Sequence, residues 1–253
     1  MLSTPLRFFC AAAVLLLAGC AGADAKLPLR VLVFSRTTGY RHASIEPGIA
    51  AIKQLGARDG YAVDASEDPD VFTPDKLKAY GAIVFLSDTT KHDDRASEWF
   101  IGARRDALMG FVHHGGGIVG IHAASDSHYF WPWYGRLIGA YFDHHPKGTP
   151  TGTVRIVDAD NPATRGLARE VARVDEWYHF KQWTPDKLHV LVEFEPWSIG
   201  ETDVKPYPIS WTHEFEGGRV FYTGMGHTNG SYSEPWFLAH IAGGIRWALR
   251  DDK

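Results

Sequence analysis

Three short apolar runs in the first half of the chain constrain its fold most strongly. Residues 30–35, 81–87 and 118–121 are almost continuously apolar, which is typical of parallel strands buried on both faces. Between them, a helix is predicted over 44–55, with Ser44 as its N-cap, and apolar residues at helical spacing predict another over 95–113. Strands that alternate with helices predict a parallel sheet covered by helices on both faces.

The second half of the chain is richer in predicted strands. They cover residues 152–157, 189–194, 208–213 and 219–223, and an amphipathic helix over 236–249 follows them. We therefore expect an α/β fold, with a flavodoxin-like, doubly wound, mostly parallel sheet and an antiparallel β extension. Residues 29–253 are enough for one domain with a sizeable core.

The N-terminus has the layout of a secretory signal peptide. The apolar run 8–17 follows a basic residue and is too short to span a bilayer. Residues 17–20, Leu-Ala-Gly-Cys, resemble the bacterial lipobox, in which the cysteine becomes the lipidated first residue. We therefore expect a lipoprotein signal peptide at 1–19, a lipidated Cys20 with its tether at 20–28, and export to the bacterial cell envelope or periplasm. The alternative is an ordinary signal peptide in which Cys20 is incidental.

Cysteine usage and charge exclude several functions. The two cysteines are Cys10, inside the predicted signal peptide, and Cys20 at the lipid site. The remaining domain has no thiol for a disulfide, a thiolate nucleophile or a zinc-thiolate site. The formal net charge is −4, and both signs are interspersed, so we do not expect a nucleic-acid partner. We do not expect a nucleotide cofactor either.

Histidines follow three of the predicted strands. Tyr40, Arg41 and His42 come after the first strand. His122 comes directly after the fourth strand, and His227 shortly after the last. Ligands of open α/β sheets bind at the carboxyl ends of the strands. A single histidine more often packs in a core, but three from separate strand ends together predict a functional site.

Aromatic residues alternate with proton-transferring or metal-binding groups in the segments 128–134, 139–146 and 175–180. Flat aromatic rings suit the C–H faces of sugars, and charged groups suit their hydroxyls, so this pattern predicts a carbohydrate cleft. The alternative is an aromatic core beneath a long loop. The residues predicted to bind substrate are Tyr40, Arg41, His42, Trp133, Asp175, Tyr178 and Trp211.

The turn after the fourth predicted strand is where a nucleophile elbow would place serine or cysteine. The sequence there is Gly-Ile-His-Ala-Ala over residues 120–124, so His122 occupies the elbow position. An imidazole at this point suits a general base or a metal ligand. We therefore do not expect an acyl-enzyme mechanism.

The chain resembles the ThuA-like family, which is named for trehalose utilisation and is related in fold to the class I glutamine amidotransferases. One departure is Asn161-Pro162, where His-Pro is the commoner family pair. The resemblance implies a role in sugar catabolism, on disaccharides or their 3-keto derivatives. It does not imply amidotransferase activity, which needs a cysteine at the elbow. The matching segments are residues 38–42, 116–124, 137–140, 145–146, 175–178 and 218–227.

The leading hypothesis is a periplasmic enzyme that acts on a glycoside or a 3-keto-glycoside. A 3-keto group acidifies the neighbouring C–H, so that a base could start elimination of the glycosidic bond. His122 or His227 is the candidate base and Glu176 the candidate acid, while Arg41 and Tyr178 position hydroxyls.

Two alternatives stay open at this point. In a metal-assisted version, zinc or another divalent ion is held by His122, His145, Glu176 and His227. In a non-catalytic version, the protein is a lipid-tethered sugar-binding module that passes its ligand to an oxidoreductase of the same pathway or to a transporter. A purely structural envelope protein would not explain histidines at several strand ends.

Overall fold

The computed structural model describes residues 29–182, 187–203 and 205–251. The predicted signal peptide at 1–19 and the predicted lipidated Cys20 with its tether at 20–28 lie outside these residues. No helix within the described ranges is both long and apolar enough to cross a membrane.

The strands, in chain order, are β1 (Arg30–Phe34), β2 (Ala62–Ser66), β3 (Ala82–Leu86), β4 (Gly117–Ile121), β5 (Tyr141–His144), β6 (Thr151–Ile156), β7 (Glu170–Val174), β8 (His179–Lys181), β9 (His189–Glu195), β10 (Tyr207–Phe215) and β11 (Gly218–Thr223). The α-helices are α1 (Ile45–Asp59), α2 (Pro74–Leu77), α3 (Ala103–His113), α4 (Pro132–Ile138) and α5 (Pro235–Ala248).

One large sheet has the strand order β2-β1-β3-β4-β11-β10-β9-β6-β7, and β5 pairs with β8 separately. The first five strands in this order pair in parallel. From β11 to β7 all neighbours are antiparallel. The structure therefore confirms the α/β fold with a parallel core and an antiparallel extension. The order of the parallel part is that of flavodoxin-like sheets.

Alternate residues of the central strands are buried on opposite faces of the sheet. In β1, Val31 and Val33 pack in the cluster that includes the inner faces of α1 and α5. Leu32 and Phe34 pack in the other cluster, with residues of α3 and α4. All four side chains are fully buried. Burial on both faces explains why this run of the sequence is continuously apolar.

Helix α3 begins later than the sequence predicted. The predicted start was residue 95, but Arg95–Ser97 forms only one 3-10 turn. Gly102 then has a φ of 51°, a positive value that glycine adopts at little steric cost, and α3 starts at Ala103. Ser44 does precede α1 as predicted, but its side chain accepts no capping hydrogen bond.

The parallel pairing of β4 with β11 positions the functional edge of the sheet. Ile121, the last residue of β4, lies opposite Thr223, the last residue of β11. The chain leaves β4 through a 3-10 turn at His122–Ser125 and leaves β11 through Gly224. Side chains that follow these two strands therefore emerge next to each other.

Alanine substitutions at two glycines inside helices, Gly243 and Gly110, would test how closely the helices pack. A β-carbon on Gly243 in α5 would lie 2.0 Å from the carbonyl oxygen of Pro162, whereas one on Gly110 in α3 would meet nothing within 4 Å. Because alanine is better than glycine in a helix by about 1 kcal/mol, we expect Gly110→Ala to raise the free energy of unfolding. Gly243→Ala should lower it by about 1–3 kcal/mol, since the backbone must shift. Urea denaturation measures both, and stabilisation by Gly243→Ala would contradict this close contact.

Candidate metal centre

Four side chains bring potential metal-ligand atoms together at the carboxyl edge of the parallel strands. We call His42, His122, Glu176 and His227 the four-residue cluster; one ligand atom from each lies within 4.8 Å of the others. Nε2 of His122 is 3.1 Å from Nδ1 of His227. Oε2 of Glu176 is 3.1 Å from the same nitrogen of His227 and 3.5 Å from Nε2 of His122. His227 is half-buried and the other three residues are buried.

The four residues come from separate parts of the chain. His42 lies in the loop after β1, His122 follows β4 directly, and His227 lies in the loop after β11. Glu176 follows β7, at the far edge of the antiparallel extension. The convergence of His42, His122 and His227 agrees with the position at which open α/β sheets bind their ligands.

The hydrogen bonding of His122 fixes its tautomer. Its Nδ1 lies 2.8 Å from the carbonyl oxygen of Gly224, and a carbonyl can only accept. Nδ1 therefore carries the proton and donates, which leaves a lone pair on Nε2 of the neutral ring. That lone pair faces His227 and Glu176. Metal-ligating histidines are commonly held by this arrangement, with the second ring nitrogen donating to a carbonyl.

His122 also has a strained backbone. Its φ is 53°, a left-handed conformation that costs a residue with a β-carbon roughly 1–2 kcal/mol. The strain falls directly after β4, where the chain turns sharply into the 3-10 turn. Such strain collects at functional sites, where the surrounding structure holds it in place.

Asp175 binds the backbone of the loop that carries His227. Its carboxylate accepts from the backbone N–H of Gly226 at 2.8 Å and from that of His227 at 2.9 Å. The guanidinium of Arg173 also donates to it, at 2.8 Å. The sequence predicted Asp175 to bind substrate, but the residue is fully buried and its oxygens face the protein. This is a correction: Asp175 positions the loop that carries His227.

The charges of the cluster suit metal ligands. Burial alone would raise the pKa of Glu176, but the adjacent imidazoles of His122 and His227 outweigh it and hold this pKa well below its usual value. Burial, helped by the neighbouring charges of His122 and His227, lowers the pKa of His42 to about 2. Glu176 is therefore ionised and His42 neutral, as metal binding requires. An ionised Glu176 fits a ligand better than the predicted role of acid.

The pKa of His227 is raised, whereas the pKa values of Glu176 and His42 are lowered. A hydrogen bond to the Glu176 carboxylate raises it, although burial partly opposes this shift. The carboxylate of Glu176 thus stabilises the protonated, positively charged form of His227.

A cavity of about 350 Å³ opens beside the cluster. Its aromatic lining includes Tyr178, whose ring centroid lies 4.3 Å from that of His122 and 4.3 Å from that of Phe142. Tyr40 also lines it and is 65% exposed, so its ring is available to a ligand. The lining residues are Tyr40, His42, Asp126, Phe142, His145, Glu176, Tyr178 and His227.

His42 takes the place that the sequence assigned to His145 in the predicted ligand set. The sequence placed His42 among the substrate-binding residues, whereas the structure places it among the four converging ligand atoms. His145 lies beside the cluster, with Nδ1 3.3 Å from Oε1 of Glu176, but it does not belong to the four-residue group. Its side chain is 36% exposed, so it lines the cavity in the way expected of a residue that contacts a ligand.

Three further predicted substrate-binding residues lie away from the cavity lining. The guanidinium of Arg41 forms ion pairs with two glutamates, Glu46 and Glu67. Trp211 is fully buried in the core, and its indole donates to the carbonyl oxygen of Ile138. Trp133 packs in the same core. Both tryptophans are therefore core residues, and for Trp133 this agrees with the alternative interpretation of its segment as an aromatic core.

Asp126 was not among the predicted site residues, although it lines the cavity. The signal was present in the sequence, because Asp126 follows the turn after β4 at the same sheet edge as His122. Burial raises its pKa to about 6, even though the hydroxyl of Tyr129 donates to it.

The donor set of the cluster fits a divalent metal. Three histidines and one carboxylate supply nitrogen and oxygen ligands of the kind that zinc prefers. In addition, Nδ1 of His42 is buried and has no hydrogen-bond partner among the described residues, which is costly for a polar atom unless a ligand satisfies it. The four-residue cluster could therefore hold a metal ion.

The fold and the site together define a class of protein. A parallel core with an antiparallel extension is the class I glutamine amidotransferase-like fold, here with histidine at the elbow position. Residues 30–248 match the ThuA family, described as trehalose utilisation. The chain belongs to this family.

Comparisons with solved structures support the fold. A ThuA-like protein from Bacteroides uniformis is 24% identical with a TM-score of 0.70, and the match covers 91% of this chain and 95% of that one. A ThuA-like protein from Parabacteroides merdae is 17% identical with a TM-score of 0.68, covering 87% and 90%. A cytoplasmic protein from Salmonella typhimurium is 11% identical with a TM-score of 0.58, covering 87% and 98%. Among curated proteins, none matches this chain.

The strain at His122 can be measured. Because glycine adopts a positive φ freely, we expect His122→Gly to be more stable than His122→Ala by up to about 1 kcal/mol. At the neighbouring Ala123, which has no positive φ, Ala123→Gly should instead lower the free energy of unfolding. Chemical denaturation of the three variants tests this. A His122→Ala variant more stable than His122→Gly would show that the backbone there carries no strain.

Proposed function

We propose that this protein is a divalent-metal-dependent enzyme that cleaves or modifies a glycoside or a 3-keto-glycoside. The observation that carries the proposal is the four-residue cluster, with the lone pair of His122 Nε2 aimed into it and its other three residues lining a partly aromatic cavity. Membership of a family described as trehalose utilisation supports a sugar as the ligand. Zinc is the ion that best suits this donor set.

The side chains of the site divide into two groups by chemistry. His42, His122, Glu176 and His227 would hold the metal, which when bound supplies a Lewis acid for a carbonyl or hydroxyl oxygen. On the other walls, Tyr40, Phe142 and Tyr178 offer ring faces and edges to the apolar C–H surface of a sugar. His145 and Asp126 remain for hydroxyl recognition and proton transfer.

We also propose that the protein acts in the cell envelope, as a lipoprotein anchored at Cys20. The support for this is the N-terminal sequence, with its apolar run and its Leu-Ala-Gly-Cys tetrapeptide at residues 17–20. A sugar oxidoreductase that forms keto sugars would be a natural partner, since its product is one of the two proposed substrate classes.

Metal affinity distinguishes the observed ligand set from the predicted one. His42→Ala should weaken zinc binding by at least about 100-fold, since it removes a ligand atom of the cluster. His145→Ala should change the affinity by less than about 10-fold, because it removes only a neighbour of Glu176. His114→Ala, at an exposed residue outside the cavity lining, serves as the control. Competition titration with a zinc-binding dye measures all three, and a larger loss in His145→Ala than in His42→Ala would contradict the assignment.

Turnover of sugars tests the function itself. We expect the zinc-loaded protein to convert a glycoside or a 3-keto-glycoside from a panel that includes trehalose and 3-ketotrehalose, followed by NMR. Glu176→Gln should lower the rate by at least about 100-fold, because it removes the anionic ligand and its charge. Binding of these sugars without any conversion, with zinc, manganese or iron, would instead support the non-catalytic binding module.

A further inference from the structure

Asp126 is held rigidly in the cavity wall. It follows the 3-10 turn His122–Ser125, and its backbone N–H donates to the carbonyl oxygen of Ala123 at 2.8 Å. Its own carbonyl accepts from the N–H of Thr90 at 3.3 Å. The hydroxyl of Tyr129 donates to Oδ1. The carboxylate therefore has a fixed orientation and faces the same cavity as Glu176 and His227.

Within the part of the chain that the structure describes, no cation pairs with this carboxylate. The side-chain hydrogen bond from Tyr129 goes to Oδ1, which leaves Oδ2 free for a ligand. Lys181, the basic side chain nearby, pairs with Asp143 at 3.6 Å and lies over the ring of Tyr129. A largely buried carboxylate without a cation is costly to the fold, so a purely structural role explains it poorly.

The surroundings of Asp126 suit a group that both takes and gives a proton. Burial raises its pKa to about 6, and the groups that oppose this shift are Tyr129, by its hydrogen bond, and then His122, His92 and Lys181 by charge. Glu176 differs, since its pKa is held low by the histidines of the cluster. Of the two carboxylates in the cavity lining, Asp126 is thus the one suited to proton transfer.

The number of carboxylates also indicates the kind of reaction. A glycosidase of the usual type needs two carboxyl groups that are both free to act. Here the second carboxylate, Glu176, belongs to the four-residue cluster. One free carboxylate beside a site for a Lewis acid is instead the arrangement that serves proton abstraction next to a carbonyl group.

We propose that Asp126 is the catalytic proton-transfer residue of this site and that it acts on the C–H next to the ketone of a bound keto sugar. The carboxylate takes the proton from that carbon. The C–H electron pair becomes the new C=C bond, and the carbonyl π pair moves to the oxygen to give an enediolate. In the return step the carboxylic acid gives the proton back to carbon, so the exchange needs no oxidant or reductant. This inference rests on the proposed function, because it requires a sugar in the cavity.

Exchange with solvent deuterium tests the inference directly. The zinc-loaded full protein is incubated in D₂O with 3-ketotrehalose, and ¹H NMR follows the loss of the C–H signals next to the ketone. We expect Asp126→Asn to slow this loss by at least about 100-fold, while the affinities for zinc and for the sugar stay within about threefold. With Asp75→Asn, at an exposed aspartate outside the cavity lining, the exchange rate should equal that of the wild type.

A second variant separates chemistry from structure. Asp126→Ala leaves space in the cavity, so added formate should restore exchange in it, whereas no formate effect is expected in Asp126→Asn. Exchange at the wild-type rate in Asp126→Asn would overturn the inference and leave the proposed function standing. Sugar turnover by the wild type without any C–H exchange would also overturn the inference about Asp126 and leave the proposed function standing. If the wild type neither binds nor converts the sugar, both the proposed function and this inference fail.

Discussion

The parallel pairing of β4 with β11 is the interaction on which the candidate site depends. Because Thr223 lies opposite Ile121, the two strands end in register, and His122 and Gly224 are held side by side. The carbonyl of Gly224 then sets the tautomer of His122 and aims its free nitrogen at the cluster. Strand β11 is also where the sheet changes from parallel to antiparallel. The boundary between the two halves of the fold therefore lies directly beneath the site.

A single buried carboxylate links the antiparallel extension to that boundary. Asp175 follows β7 and binds two backbone N–H groups of the loop after β11, while the next residue, Glu176, enters the cluster. Arg173, equally buried, compensates the charge of Asp175 and also bonds Glu234, just before α5. Buried ion pairs contribute little net stability, but loss of one partner costs about 3–5 kcal/mol. The network therefore fixes Glu176 and His227 relative to each other more than it stabilises the fold.

The sequence predicted the fold well and the site in part, for identifiable physical reasons. Burial on both sides leaves a continuous apolar run, which is readable in β1 and β3. His122 follows β4 directly and His227 comes shortly after β11, so the rule for strand ends located them. His42 lies well into the loop between β1 and α1, and His145 directly follows β5, a strand outside the large sheet, so the exchange of their roles depends on tertiary packing. Trp211 was predicted to bind substrate, but its indole donates to the carbonyl oxygen of Ile138 in the core. This contact is between residues far apart in the chain, so the sequence pattern could not predict it.

The elbow after β4 shows how this fold supports chemistry without a thiol. In the amidotransferases related to it in fold, a cysteine at this turn is the nucleophile. Here His122 occupies the strained position, and both of its ring nitrogens are committed, Nδ1 to Gly224 and Nε2 to the cluster. A histidine whose two ring nitrogens are both engaged can orient a ligand or hold a metal. It has no nitrogen left to carry a proton to and from a substrate. In the proposed reaction, proton transfer falls instead to Asp126 of the cavity wall, four positions further along the chain, whose Oδ2 has no hydrogen-bond partner among the described residues.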